Sequence, residues 1–385
     1  MSGARKPTVL FVNHWARKLG GAELSLIDIL HHASSRLRCV LVVTEDGPLV
    51  DTARSMGVDI EIISCRQSVA AIRRSGLLWR AALHLPTLFA YGLFLIRLAR
   101  CIRRHAPRLV YANVPKSHCA LLCLQRLGLA ATTCYHIREI FEPRSAAARL
   151  YCALYRPDAA CAIAISRAVR NALPGSLAHG ATVIYNGVAP SPGSTRPKPH
   201  VPLRLVYLGR IVPWKGCEEL IDIARLARDR FGDRIVVHLI GDTLYWRQSY
   251  RRQLTDAIFR KNLHNVVALH DATPRPYDVL GRYHLFCNAS QNEPFGRSIA
   301  EAQACGLPVI AYDSGGVSEI VAHQQTGFLA PHGDAAAFVD AIGAFLQEPA
   351  LLKTMSHAAQ QRANTRFARE KQIPKIVDYI ERHMR

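Results

Sequence analysis

The chain has 385 residues, 49% of them hydrophobic and 20% charged, a balance that excludes a disordered or collagen-like polymer and is large enough for two domains with separate cores. Lys and Arg outnumber Asp and Glu by 49 to 29, a formal net charge of +20, which attracts polyanions: nucleic acid, an anionic membrane face or phosphate-bearing substrates. The 11 cysteines lie scattered in apolar runs with no C-x-x-C pair, which argues against a zinc or disulfide framework and for reduced thiols in a cytoplasmic chain.

In chain order, Thr8–Val12 reads as a strand, too short to be the apolar region of a signal peptide, and Asn13-His14-Trp15 lies where it ends. Lys18 to Glu23 then leads through Gly20 and Gly21 into a helix with Leu24, Ile27 and Leu30 on one face. Paired glycines before a helix N-terminus suit close approach to an anion or a sugar. Segments 38–43, 59–63 and 108–113 are further strands alternating with helical stretches, which predicts a parallel sheet covered on both faces. No G-x-G-x-x-G follows a strand and no Gly-Lys-Ser/Thr occurs.

Residues 75–104 form an apolar stretch with basic flanks. Its uncharged centre, 81–96, is shorter than the roughly 20 residues that span a bilayer, and Pro86 interrupts it. Arg73, Arg74, Arg80, Arg97, Arg100, Arg103 and Arg104 surround it. Two readings stand: a helix lying in the headgroup layer with Trp79 and Tyr91 at the interface, or a core helix with a solvated basic rim. Strands follow at 132–137, containing His136, and at 162–166 and 182–185; Asn186-Gly187 is a turn that closes the domain at 188. The Pro-, Gly- and Ser-rich segment 189–202 is the linker.

The second domain opens with a strand at 203–208 that runs into Gly209-Arg210-Ile211-Val212-Pro213-Trp214-Lys215-Gly216. Arg210 and Lys215 on this glycine-bounded loop can converge on one anion. Strands at 235–241 and 266–270 precede the densest stretch, His284 to Val321. There a strand, 284–288, meets turn chemistry at Gln291-Asn292-Glu293-Pro294, and Gly296 opens a helix over 297–305, stopped by Gly306 and Pro308 before a strand at 307–312. The unpaired N–H groups at Gly296, Arg297 and Ser298 form a seat for phosphate oxygens. Glu293 and Glu301 bracket that seat, and a carboxylate repels phosphate but accepts well from neutral hydroxyls. Phosphate between two polyol readers describes a nucleoside diphosphate sugar. Segments 326–329 and 334–345 complete a sheet and a covering helix, and a final helix follows Phe367.

The wording NEPFGRSIAEAQACGLPVIA, with Glu293 and Glu301 separated by seven residues, resembles the donor motif of retaining glycosyltransferases of family 4. The resemblance implies an α/β GT-B fold, two Rossmann-like parallel-sheet domains facing across a cleft: an acceptor-binding domain at 1–188, the linker 189–202, a nucleotide-sugar domain at 203–365, and a helix at 366–385 returning to the first domain. By the same resemblance Glu293 holds a hydroxyl of the transferred sugar and Glu301 the ribose, while Phe295 and Gly296 offer backbone groups to sugar and diphosphate. Arg210 and Lys215 match the family's Gly-Arg…Lys-Gly loop on the diphosphate, and Gly20-Gly21 its glycine-rich loop facing the donor. His136 resembles the histidine beside the reacting sugar, with His14 a rival for that role. Asp271 stands where the family often has a glycine after the strand that holds the base.

No Asp-x-Asp occurs, so the expected reaction is metal-independent and needs no cofactor beyond its UDP- or GDP-sugar, the leaving phosphate being neutralised by Arg210, Lys215 and the helix N-terminus. The expected acceptor is a saccharide or lipid-linked sugar in surface polysaccharide or lipopolysaccharide synthesis, with peripheral contact to the anionic inner face of the cell membrane. A nucleotide-sugar 2-epimerase of GT-B architecture is the alternative. A nucleic-acid partner is not expected, because the basic charge comes with no reading motif or interleaved aromatics.

Overall fold

The computed structural model describes residues 6–65, 85–128, 131–142, 145–191, 202–243 and 248–384. Most of the 189–202 linker lies outside the described residues, as do residues 75–84 of the apolar and basic stretch together with Arg73 and Arg74. The chain forms two compact units, Met1–Ile165 with Arg170–Ile184 and Ile373–Arg385, and Ser166–Val169 with Tyr185–Gln372.

Among the described residues the first unit is a seven-stranded parallel sheet of β1 (Thr8–Val12), β2 (Arg38–Val43), β3 (Asp59–Ile62), β4 (Leu109–Ala112), β5 (Thr132–Ile137), β6 (Ala160–Ala164) and β7 (Ala181–Val183), in the order β3-β2-β1-β4-β5-β6-β7. Runs such as TVLFV and RCVLVV are apolar at nearly every position because helices cover both faces, and alternation is lost. Three strands differ from the sequence reading by two residues at an end, and the others by one residue or none. The strand expected at 307–312, in the second unit, starts at Val309. β6 begins two residues earlier than 162, since its ladder with β5 starts at Thr133 opposite Ala160, and β7 stops at Val183.

The Gly21–Ala33 helix buries Leu26, Ile29, Leu30 and Ala33, while Leu24 is 38% exposed. The expected face of Leu24, Ile27 and Leu30 is therefore corrected: strict three-residue steps drift around a 3.6-residue helix, whereas steps of three, one and three stay on one side. The Leu85–His105 helix buries Phe94, Leu98, Cys101 and Ile102. Among the described residues no single helix is long and apolar enough to cross a membrane; the one pair that passes by composition, Ala335–Gln347 with Ala350–Phe367, is bent by 110°. All 11 cysteines are unbridged.

Among the described residues the second unit is a six-stranded parallel sheet of β8 (Leu203–Leu208), β9 (Ile235–Ile240), β10 (Val267–His270), β11 (Leu285–Asn288), β12 (Val309–Tyr312) and β13 (Gly327–Ala330), ordered β10-β9-β8-β11-β12-β13. Both sheets are doubly wound. The chain runs outward from β1 to β3, then returns to the far side of β1 with β4; it repeats the pattern from β8 to β10 and back to β11. At such a switch point the loops leaving neighbouring strands diverge, opening a crevice at their carboxyl ends. The crevices lie between β1 and β4 in one unit and between β8 and β11 in the other.

The Arg369–Arg382 helix begins in the second unit, and from Ile373 onward it belongs to the first. Ile373, Ile376, Val377, Tyr379 and Ile380 are buried in the first core, and the Tyr379 hydroxyl donates to the Ala162 carbonyl at 3.0 Å. Ile376→Ala should therefore destabilise the first unit by about 2–5 kcal/mol, the cost of a cavity at a fully buried site. Urea unfolding followed by a probe in that unit reads the change; a midpoint equal to that of the parent chain would contradict this packing.

Candidate functional site

In the second unit, the loops leaving β8 and β11 contain both sequence motifs. Gly209 continues the ladder by donating to the Ile240 carbonyl at 3.0 Å, and Ile211 donates to the Asp242 carbonyl at 3.0 Å. The Tyr207 hydroxyl donates to the Arg210 carbonyl at 2.7 Å, which fixes the loop where its cation begins. A short 3-10 turn, Pro213–Lys215, ends at Gly216 with φ 71°. A Cβ on Gly216 would stand 2.1 Å from the Ala289 carbonyl oxygen, so only glycine lets the two loops meet. Beside it Gln291 donates its N–H to the Trp214 carbonyl at 2.8 Å.

This junction brings the Lys215 Nζ to 2.5 Å from the Glu293 Oε2, with the two side chains 17% and 7% exposed. Burial pushes the Glu293 carboxyl up, but Lys215, and Arg210 more weakly, outweigh it and hold it below the usual carboxylate range. Arg210 itself is exposed and, among the described residues, makes no ion pair. Asn292, at φ 47°, donates its N–H to the Ser314 Oγ at 2.7 Å, and Gly316 donates to the Glu293 carbonyl at 2.7 Å. Glu293 is thus held on its backbone from the loop after β12 and on its side chain from the loop after β8.

Gly296, at φ 92°, caps the Arg297–Ala304 helix, whose first intrahelical bonds run from Ile299 and Ala300 to the Gly296 carbonyl. The N–H groups of Arg297 and Ser298 lie ahead of that ladder. One turn on, Arg297 Nε donates to Glu301 Oε1 at 2.8 Å. Phe295 is buried against Tyr185 and Phe367 and presents no side chain to solvent.

The structure thus brings Lys215, Glu293 and the Gly296 turn together, with Arg210 in electrostatic reach, and couples Glu301 to Arg297. Sequence reasoning does not foresee the pairing of each carboxylate with a cation, although the four-residue spacing of Arg297 and Glu301 signals one of them. It also misses Glu319, which accepts from the Arg167 and Ala168 N–H groups at 2.9 Å and from the Tyr185 hydroxyl at 3.0 Å. The glycines of Ser314-Gly315-Gly316, directly after β12, offer the same cue as Gly296.

The first unit gathers its polar residues at the ends of β1, β4 and β5. Asn113 donates to the Asn13 side-chain oxygen at 2.9 Å and to the Ala22 carbonyl at 3.2 Å, tying the β1–β4 crevice to the helix start. Gly20 caps that helix, its N–H donating to Glu23 Oε2 at 3.0 Å, and Gly21 is its exposed first residue. Arg138 Nη2 donates to Asn113, to Ser25 and, at 3.1 Å, to His136 Nδ1, which also meets the Tyr111 hydroxyl.

Because arginine only donates, Nδ1 is an acceptor and the proton of the neutral ring sits on Nε2. Burial, then the Arg138 charge, then His118 hold the His136 pKa well below its ordinary value, so the ring is neutral. Its Nε2 is buried without a hydrogen-bond partner among the described residues. His14, the rival, is buried against Trp15 and lowered to about 4 by burial and Lys116.

The family described as Glycosyl transferases group 1 matches residues 195–362. That region is similar to a group 1 glycosyl transferase domain. It contains the entire Lys215–Glu293 site. A D-inositol 3-phosphate glycosyltransferase of Kribbella flavida is 32% identical over 164 residues, 41% of this chain and 39% of that protein. The capsular polysaccharide biosynthesis glycosyltransferase CapM of Staphylococcus aureus is 28% identical over 162 residues, 42% and 41% of the two chains. The chain thus spans about two fifths of the length of these curated relatives. Anabaena Alr3699/HepE, solved in complex with UDP and glucose, is 25% identical, with a TM-score of 0.78 over 97% of this chain and 99% of that one. The lipopolysaccharide outer core galactosyltransferase WaaB, at 15% identity and a TM-score of 0.73, shares the fold. The group 1 match and these neighbours accord with the GT-B architecture of two parallel-sheet units.

Removing one member of the buried pair strands the other charge. Lys215→Met and Glu293→Gln should each cost roughly 3 kcal/mol in urea unfolding, and the double variant less than the sum; additive losses would mean no pair. The histidines set a second test. A histidine whose folded pKa is depressed contributes stability that is full above its unfolded pKa, near 6.5, and is lost as the pH falls toward the folded value. His14, at about 4, and His118, at about 3, together with His136, should lower stability by about 1.4 kcal/mol per pH unit each below pH 6.5. Equal unfolding midpoints at pH 7 and pH 5 would contradict their burial.

Proposed function

We propose that the chain is a retaining glycosyltransferase of family 4 that moves a hexose from a UDP- or GDP-sugar to a saccharide or lipid-linked acceptor in surface polysaccharide or lipopolysaccharide synthesis. The observation that carries the reading is the Lys215–Glu293 pair at the β8–β11 switch point, beside Arg210 and the Gly296 turn. An ammonium has three donors, so Lys215 can keep Glu293 ionised while a second N–H meets a diphosphate oxygen. Glu293, acceptor-only when ionised, takes a hydroxyl of the transferred sugar, and Glu301, oriented by Arg297, takes the ribose. The backbone of Phe295, Gly296, Arg297 and Ser298 meets the diphosphate, as do Gly20 and Gly21. The HepE neighbour, with UDP and glucose bound, supports a nucleotide-sugar donor.

In the step we infer, the bond from the anomeric carbon to the diphosphate oxygen breaks as the acceptor hydroxyl attacks the same face. The hydroxyl proton passes to the departing phosphate, and the negative charge left there is met by Arg210, Lys215 and the helix N-terminus. No protein carboxylate is needed as nucleophile, and fixed cations take the part a metal ion plays elsewhere. His136, neutral with its proton on Nε2, serves as a hydrogen-bond donor to the reacting sugar and not as a base. We assign the acceptor to the first unit, which holds most of residues 1–188 and the end of the last helix, and propose a cytoplasmic location with peripheral contact to the anionic inner membrane face.

The test begins with melting-temperature shifts against a panel of UDP- and GDP-sugars, followed by transfer assays. Arg210→Ala should lower kcat by about 10²–10³, typical of losing one donor to a developing oxyanion, with little change in stability because the side chain is exposed. Full-rate transfer by both Arg210→Ala and Glu293→Gln, or a protein indifferent to every activated sugar, would defeat the assignment.

A further inference from the structure

The Leu85–His105 helix presents two unlike faces. Phe94, Leu98, Cys101 and Ile102 are buried on one side. On the other, Leu88, Phe89, Leu93 and Ile96 are 58%, 70%, 38% and 49% exposed. At 100° per residue, Phe89, Leu93 and Ile96 fall within one sector, and Arg97, Arg100, Arg103 and Arg104 continue the same sector toward the C-terminus. The solvent face is therefore divided lengthwise, apolar in its first half and cationic in its second, about 24 Å in all. The helix carries no acidic residue.

The cationic half also walls a cavity of about 400 Å³, lined by Ser64, Arg97, Arg100 and Arg104 together with Glu61. Glu61 does not oppose an anion there, because Arg104 and His105 hold its carboxylate, His105 at 2.8 Å. Among the described residues Arg97 and Arg100 make no ion pair and are exposed. A face of bulky apolar side chains continuing into unpaired guanidinium groups matches, in order, the acyl boundary and the phosphate layer of an anionic bilayer.

We propose that this helix docks the protein on an anionic lipid bilayer, Phe89, Leu93 and Ile96 entering the acyl boundary while Arg97 and Arg100 hold lipid phosphates. The docking gives the lipid-linked acceptor reading its means of reaching substrate and rests on that reading for its purpose, but lipid binding is measured without any sugar transfer.

The full chain is sedimented with phosphatidylcholine vesicles, alone or with roughly 30% phosphatidylglycerol, whose negative surface potential attracts arginine side chains. Binding should require the anionic lipid and fall with added salt. Phe89→Ser/Leu93→Ser and Arg97→Ser/Arg100→Ser should each weaken partitioning about tenfold or more. Arg252→Ser/Arg260→Ser, which removes equal charge from exposed positions on the Gln248–Arg260 helix, should leave it unchanged. Equal loss in that control, no loss in either helix pair, or no binding to anionic vesicles would each overturn the proposal. The arginine pair points into solvent, so its test does not depend on whether the apolar pair folds. Vesicle binding in a protein whose melting temperature ignores every nucleotide sugar would reject the transferase reading and leave the docking standing.

Discussion

Lys215 and Glu293 come from loops 78 residues apart and meet as a nearly dry ion pair. Such a pair is a poor source of net stability, since desolvating two charges offsets most of their attraction. What it provides is a fixed carboxylate and a fixed ammonium at one point of a crevice. The backbone around it is arranged to make that point unavoidable: Gly216 allows contact with Ala289, Gln291 bonds Trp214, and Gly316 bonds Glu293. The doubly wound sheet supplies the crevice, and three loops close on it.

The first unit follows a different rule. Its crevice is lined by neutral donors and acceptors, Asn13, Asn113 and His136, organised by the one guanidinium of Arg138. Burial, reinforced by the Arg138 charge, keeps the imidazole unprotonated, and the position of its proton follows from what Nδ1 accepts. The two units thus contribute different chemistry: one a set of neutral hydrogen-bonding groups, the other fixed opposite charges.

Much of this is legible in the amino-acid sequence. β1, β2, β5 and β8 match the predicted strands residue for residue, because unbroken apolar runs between breakers have few other outcomes in a parallel sheet. Other strands are less legible: β6 is displaced by two residues, β7 shortened and β12 begun two residues later, because their ends are set by pairing with a neighbour, information absent from local composition. The phase of the Gly21–Ala33 helix escapes for a similar reason, since Leu24 and Leu26 are equally apolar and only packing selects between them. In the site, residue identities are readable from Glu293, Glu301, Arg210 and Lys215. Their partnerships are not, because a carboxylate in a sequence does not declare which cation folding will bring to it. Arg138 draws no attention for that reason: its value lies in neighbours such as Ser25 and Asn113, distant in the chain.

The helix that ends in the first core has a consequence for synthesis. Ile376, Val377 and Ile380 complete a hydrophobic layer whose other members, Leu26, Ile29 and Leu41 among them, emerge from the ribosome hundreds of residues sooner. At roughly 5–20 residues per second, the nascent amino-terminal sheet waits many seconds with an unsealed greasy flank. During that interval chaperones have a claim on it, and a ribosome stalled before the last turns of helix would leave a sticky, protease-sensitive fragment instead of a folded unit.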